Sequence, residues 1–170
     1  LNREPFYDER GFFERLFCVD ELKSILKNKQ IEQINYSFTR KKGCVRGLHF
    51  QLPPFSEVKM VSCIKGEVWD VAVDIRKDSP TFLEHHAEIL TPKNNRTLFI
   101  PEGFAHGFQA LTRECEMLYF HTNKFNKEFD CGLNILDPFL NINWPFDISD
   151  VSERDQSHKM LDKSFKGIVI

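Results

Sequence analysis

From residue 31 onward, apolar and polar positions alternate in short runs at the period of two expected for half-buried strands. Runs fall at 31–39, 44–51, 58–64, 68–75, 82–90, 96–100, 104–111 and 117–122, with turn residues between them. Arg40-Lys41-Lys42-Gly43 ends the first run and Pro53-Pro54 ends the second. Lys65-Gly66-Glu67 reads as a hairpin turn between 58–64 and 68–75. Ahead of these strands, Asp8-Glu9-Arg10-Gly11 is a turn signal followed by a strand-like FFERLF at 12–17. Leu22, Ile25 and Leu26 stand at helical spacing, so one short helix capped by Asp20 is predicted. The chain turns polar after Trp144-Pro145, and 149–161 predicts a second short helix capped by Asp150 or Ser152. No βαβ unit and no GxGxxG appear, so a nucleotide-cofactor Rossmann fold is not supported. The pattern predicts one all-β domain over 1–170, a sandwich or jelly-roll β-barrel with a short N-terminal helix and a C-terminal tail.

Strand periodicity constrains side-chain directions. In a regular strand Val45, Gly47 and His49 share one face, while Cys44, Arg46 and Leu48 share the other. Arg46 and His49 then point apart, and they serve one site only if a bulge near Gly47 re-aims one of them. Within 67–74, Trp69, Val71 and Val73 form one face, and Val68, Asp70, Ala72 and Asp74 the other. Two carboxylates on one face suggest a half-solvated barrel lumen, where a pocket would form.

Composition narrows the class. Apolar residues make up 41% and charged residues 28% of the 170 positions, values typical of a soluble globular chain. A formal net charge of -2 argues against bulk electrostatic binding to nucleic acid. The five cysteines are odd in number and include no CxxC, which argues against a zinc site or a disulfide framework and favours a reducing cytoplasm. No run approaches 18 apolar residues and no signal peptide is visible, so no membrane partner is expected. Seventeen Phe, many beside Gly or Pro, point to an aromatic-rich β core.

Two stretches carry candidate chemistry. VRGLHFQLPPFSEVK at 45–59 sets Arg46, His49 and Lys59 among apolar residues, and IPEGFAHGF at 100–108 adds His106 between glycines. Charged and imidazole groups in apolar strands are costly unless paired. Each histidine reads either as a hydrogen-bonded structural group or as a functional one. Lys59 reads as a surface lysine, or as a partner of Glu57, which carries no functional information. Pro101-x-Gly103-x-x-His106 is similar to the second metal-binding motif of cupin barrels. The first such motif needs HxH and a glutamate, whereas residues 47–51 hold a single imidazole, so the barrel is expected to carry no metal.

Longer stretches make the resemblance specific. They are DERGFFE (8–14), QINYS (33–37), VRGLHFQ (45–51), the lysine of VKM (58–60) and GEVWDVAVDIRKDSPTF (66–82). IPEGFAHGF (100–108), the tyrosine of MLYFHT (117–122), LDP (136–138), NWP (143–145) and SERD (152–155) continue the series. In this order they resemble the RmlC-type dTDP-4-dehydrorhamnose 3,5-epimerase family of cupin-fold enzymes acting on nucleoside-diphosphate 4-keto sugars. The resemblance implies a cofactor-independent isomerase that inverts C3 and C5 through an enolate. By the same resemblance His49 is the base, Asp155 orients it, Lys59 faces the oxyanion and Tyr119 is the acid on the opposite face. Arg46 grips the diphosphate, and Arg10 reaches it too, from a partner chain, because the family exchanges N-terminal strands in a homodimer. Gln33, Asn35 and His106 line the pocket, and Glu14 approaches the base. Where the family commonly has a second tyrosine, six residues after the acid, this chain has Phe125, which keeps a stacking ring and loses a hydroxyl. The SPTFGxW-like segment also differs, reading SPTFLEH at 79–85. Alternatives are a C3-only epimerase, an enzyme using a GDP- or CDP-linked 4-keto sugar such as a heptose, a 3,4-ketoisomerase, or a non-catalytic cupin that binds a sugar nucleotide.

Overall fold

The computed structural model describes residues 1–170. An N-terminal hairpin, β1 (Phe6–Asp8) with β2 (Gly11–Phe13), precedes helix α1 (Val19–Leu26). Two antiparallel sheets follow. One has four strands in the order β3 (Gln33–Thr39), β10 (Cys115–His121), β5 (Lys59–Lys65), β8 (Thr97–Ile100). The other has five, in the order β11 (Asp130–Gly132), β4 (Val45–Gln51), β9 (Phe104–Ala110), β6 (Val68–Asp74), β7 (His85–Leu90). A 3-10 turn at Pro138–Leu140 and helix α2 (Glu153–Ser157) lie in the tail. The predicted all-β cupin-like fold with a short N-terminal helix is what forms. No helix is long and apolar enough to cross a membrane.

Strands β6 and β9 of the larger sheet serve two cores, while β4 serves the outer one. Val68, Ala72, Phe108 and Ala110 face the lumen, where they meet Val61, Cys63, Cys115 and Met117 of the smaller sheet. Alternate residues Val45, Val71, Val73 and Ala105 face outward, and the tail covers them with Ile135, Leu140, Trp144, Val151 and Phe165. The tail is therefore a structural layer. By crossing the outside of β4 it can return a side chain to the barrel mouth.

Several local expectations are corrected. Lys65-Gly66-Glu67 joins strands in different sheets: β5 pairs with β8 and β10, and β6 with β7 and β9. Glycine here permits a φ of +79° close to Thr112 and Cys115, so the turn signal reports a chain reversal without naming the hydrogen-bond partner. Helix α1 has Cys18 at its N-cap with no side-chain cap bond, and Asp20 lies inside its first turn. Asp70 and Asp74 are fully buried instead of half-solvated. Asp70 bonds His106, while Asp74 accepts from Arg76, Ser79 and Thr81 and is held well below the usual carboxylate range because these bonds outweigh burial. Helix α2 is shorter than 149–161 and is capped by Ser152, whose side chain accepts from Asp155 N.

Candidate active site

The site is built on an irregularity in β4. Arg46 pairs with Phe108 and His49 with His106, so three steps along β4 match two along β9. Gly47 carries the extra residue at φ +126°, and a Cβ there would lie 2.5 Å from Gly107 Cα. Only glycine fits this conformation and approach. The shift brings Arg46 and His49 to the same cavity, as periodicity required.

That cavity, of about 800 Å³, opens between the two sheets. His49, Arg46 and His106 line one wall, and Lys59, Tyr119, His121 and Asn35 the other. Helix α2 closes the mouth with Asp155. Asp155 Oδ1 accepts from His49 Nε2 at 2.7 Å, and Oδ2 accepts from Gly47 N at 3.2 Å. Burial raises the Asp155 pKa, but the His49 hydrogen bond and charge outweigh it, so the carboxyl stays below its ordinary value. With Nε2 donating to a carboxylate, His49 Nδ1 is left as the lone-pair nitrogen.

Opposite, Lys59 Nζ donates to His49 O at 3.3 Å and pairs with Glu57 Oε1 at 3.2 Å. The Tyr119 hydroxyl bonds Ser37 Oγ at 2.9 Å, and burial pushes its pKa well above the ordinary phenol value. His106 Nε2 bonds Asp70 Oδ1 at 2.8 Å. Arg46 donates Nε to Thr39 Oγ1 at 3.0 Å and a second nitrogen to Phe38 O at 3.1 Å, leaving guanidinium donors at the cavity rim. His49, Asp155 and His158 place potential metal-ligand atoms within 4.8 Å of one another, although the first two already engage each other.

Sequence reasoning singled out eleven site residues, and seven line this cavity: His49, Lys59, Tyr119, Asp155, Arg46, Asn35 and His106. Gln33 and Phe125 are not among the lining residues: Gln33 accepts from Phe125 N at 2.9 Å, and Phe125 is 56% exposed. Arg10 and Glu14 do not reach the cavity of their own chain. Arg10 sits exposed on the hairpin against Asp8, and Glu14 pairs with Arg3 at 3.0 Å. Ser37, His121 and Glu57 were missed as site residues. Alternation could have found two of them, since Ser37 follows Asn35 and His121 follows Tyr119 by two positions on lumen-facing strands.

The fold and cavity define a cupin-like protein whose lumen is lined by an Asp155-paired His49, Lys59 and Tyr119. Comparison makes the class particular. The family model described as dTDP-4-dehydrorhamnose 3,5-epimerase matches residues 1–163. The Shigella flexneri dTDP-4-dehydrorhamnose 3,5-epimerase is 42% identical over 162 residues, covering 94% of this chain and 89% of that protein. A Legionella pneumophila dTDP-6-deoxy-D-glucose-3,5-epimerase, solved with dTDP-4-keto-L-rhamnose, superposes at a TM-score of 0.88 with 38% identity, over 94% of this chain and 85% of that one. The Bacillus anthracis dTDP-4-dehydrorhamnose 3,5-epimerase, solved with TDP and PPi, gives 0.90 at 34% identity, over 94% and 91%. The chain belongs to the dTDP-4-dehydrorhamnose 3,5-epimerase family, whose members are isomerases.

Proposed function

We propose that this protein inverts C3 and C5 of a dTDP-linked 4-keto-6-deoxyhexose by proton removal and return through an enolate. The observation that carries the reading is the His49–Asp155 pair opening onto the same cavity as Lys59 and a half-buried Tyr119. The 4-keto group acidifies the C–H bonds on both sides of it. His49 Nδ1 takes the proton from one face, and Asp155 steadies the imidazolium that results. The electron pair moves to the C4 oxygen, where the Lys59 ammonium stabilises the enolate. Tyr119 returns a proton to the opposite face, and solvent then restores both groups. Because the ketone itself accepts the electron pair, this chemistry calls for no redox cofactor and no metal.

Arg46 suits the diphosphate, since its planar fork matches phosphate oxygens. Phe125 supplies a ring for the base to stack on. The homodimer with exchanged N-terminal strands belongs to the same proposal. Phe6, Tyr7, Phe12 and Phe13 are 63–72% exposed on the hairpin of a single chain, an aromatic patch that a second copy would cover. Exchange would also bring Arg10 and Glu14 to the partner's cavity. Five unpaired thiols suit a cytoplasmic setting.

The reading is tested by NMR of the purified protein in D2O with dTDP-, GDP- and CDP-linked 4-keto sugars. Deuterium at both C3 and C5 of the dTDP substrate is expected. Deuterium at C3 alone would convert the assignment to a monoepimerase, and exchange on no substrate would leave a sugar-nucleotide-binding role.

A further inference from the structure

Behind Lys59 lies a polar chain that the proposed reaction leaves unused. Glu57 and His121 are both buried, and the β5–β10 ladder sets Lys59 directly opposite His121. His121 Nδ1 donates to Glu57 Oε2 at 3.1 Å, while Lys59 Nζ pairs with Glu57 Oε1 at 3.2 Å. On the far side Asn35 Nδ2 donates to His121 Nε2 at 3.3 Å, and Gln33 Nε2 donates to Asn35 Oδ1 at 3.0 Å. Phe125 N closes the series on Gln33 Oε1 at 2.9 Å. With Asn35 Nδ2 donating to His121 Nε2, the donors from Phe125 to Glu57 run in one direction. Gln51 Nε2 adds a bond to Glu57 Oε2 at 3.2 Å and also reaches Lys124 O at 3.2 Å.

The arrangement answers a physical problem. An ammonium on a four-carbon stem samples many positions, and a buried one needs a counter-charge. Glu57 supplies it. Burial works against its ionisation, but the His121 bond and the Lys59 charge outweigh this and hold the carboxyl below its ordinary value. A carboxylate with only Lys59 as partner could swing and draw the ammonium off the cavity. His121 and Gln51 occupy the other oxygen and prevent that rotation. Lys59 is then held by Glu57 and His49 O, with its remaining N–H free for the cavity.

We propose that Glu57 and His121 are positioning residues that aim the Lys59 ammonium at the keto oxygen and tie it, through Asn35 and Gln33, to the segment carrying Phe125. The proposal rests on the epimerase reading. Its test is the steady-state kinetics of His121→Ala, His121→Asn and Glu57→Gln on the dTDP-4-keto sugar, with each of the first two also placed in a Lys59→Met background. His121→Ala and Glu57→Gln should lower kcat about 10- to 100-fold with KM changed less than about threefold, the scale of a displaced catalytic group. His121→Asn presents an amide donor near the place of Nδ1 and should recover kcat to within about threefold of the unmodified protein. In the Lys59→Met background, His121→Ala should cost nothing further, because its effect runs through Lys59. Unchanged kcat in His121→Ala and Glu57→Gln overturns the proposal, as does a full additional loss on top of Lys59→Met. A loss that His121→Asn fails to recover also overturns it, by assigning His121 to packing. Absence of exchange by the unmodified protein overturns the epimerase reading instead, before any variant is compared.

Discussion

Replacing Asp155 by asparagine separates the orientation of His49 from its presence. The aspartate accepts from two donors, His49 Nε2 at 2.7 Å and Gly47 N at 3.2 Å. Asparagine has one acceptor oxygen and one NH2 at the same places. If its oxygen faces His49, the amide NH2 confronts the Gly47 N–H and a buried donor is orphaned, at a cost of about 1–3 kcal/mol. If the oxygen faces Gly47, the NH2 meets His49 Nε2, which must then accept, and the imidazole proton moves to Nδ1. The second arrangement orphans nothing and is favoured, but it protonates the nitrogen that should act as base. At about 1.4 kcal/mol per tenfold, the competent tautomer becomes roughly 10- to 100-fold rarer. The imidazolium formed in the reaction also loses a charged partner worth about 1.5–3 kcal/mol, a further factor of roughly 10 to 100. Asp155→Asn should therefore lower kcat by about 10²- to 10⁴-fold, with KM within about threefold because no substrate contact is removed. The assay is NMR of C–H exchange in D2O, alongside affinity for dTDP by calorimetry. Exchange within tenfold of the unmodified rate would refute the tautomer argument and the orienting role of Asp155.

Other consequences follow from the same geometry. Tyr119→Phe should reduce product formation far more than substrate affinity, and equal effects on both would refute its role as the acid. Burial keeps the Tyr119 hydroxyl protonated above its ordinary value near 10, so turnover should not fall between about pH 8 and 10 on its account. A decline there that vanishes from the residual exchange of Tyr119→Phe would contradict this. Asp155 and Glu57 both have depressed values, so their stabilisation is complete above the ordinary carboxylate range and is lost as pH falls through the lower folded values. Thermal melts from pH 7 to about 3 should show Asp155→Asn with Glu57→Gln less acid-sensitive than the unmodified protein, and parallel slopes would contradict the linkage. Phe12→Asp with Phe13→Asp should convert a dimer to a monomer by light scattering and weaken dTDP binding, since Arg10 would no longer reach a partner. An unmodified protein of single-chain mass would contradict the exchanged dimer.

The strands were legible because half-buried β segments leave a period-two signature, and most observed boundaries lie within one to three residues of it. Pairing was less so. Gly66 announced a reversal, yet whether the following strand turns back or crosses to the other sheet is set by its pairing with β7 and β9, far along the chain. Strand β11 (Asp130–Gly132) left no signal, since three residues are too few to show periodicity. Within the site, the requirement that Arg46 and His49 share a cavity pointed correctly to Gly47. Asp155 was placed by a four-residue likeness, and only the outer core explains how a tail residue returns to the barrel mouth. Pairing with Glu57 is only one of two local readings of Lys59, and nothing local tells a surface pair from one bridged to His121 across a strand. Arg10 and Glu14 lie outside the cavity of one chain, paired with Asp8 and Arg3, and nothing in the local pattern of the hairpin signals that placement.

The central claim is that His49 and Tyr119 exchange protons with both carbons flanking the ketone. It is tested most directly by the deuterium content at C3 and C5 of a dTDP-4-keto-6-deoxyhexose after incubation in D2O with the unmodified protein and with His49→Asn. Deuterium is expected at both carbons with the unmodified protein and at neither, above the uncatalysed background, with His49→Asn. Equal incorporation with the two proteins, or none with either, would contradict it.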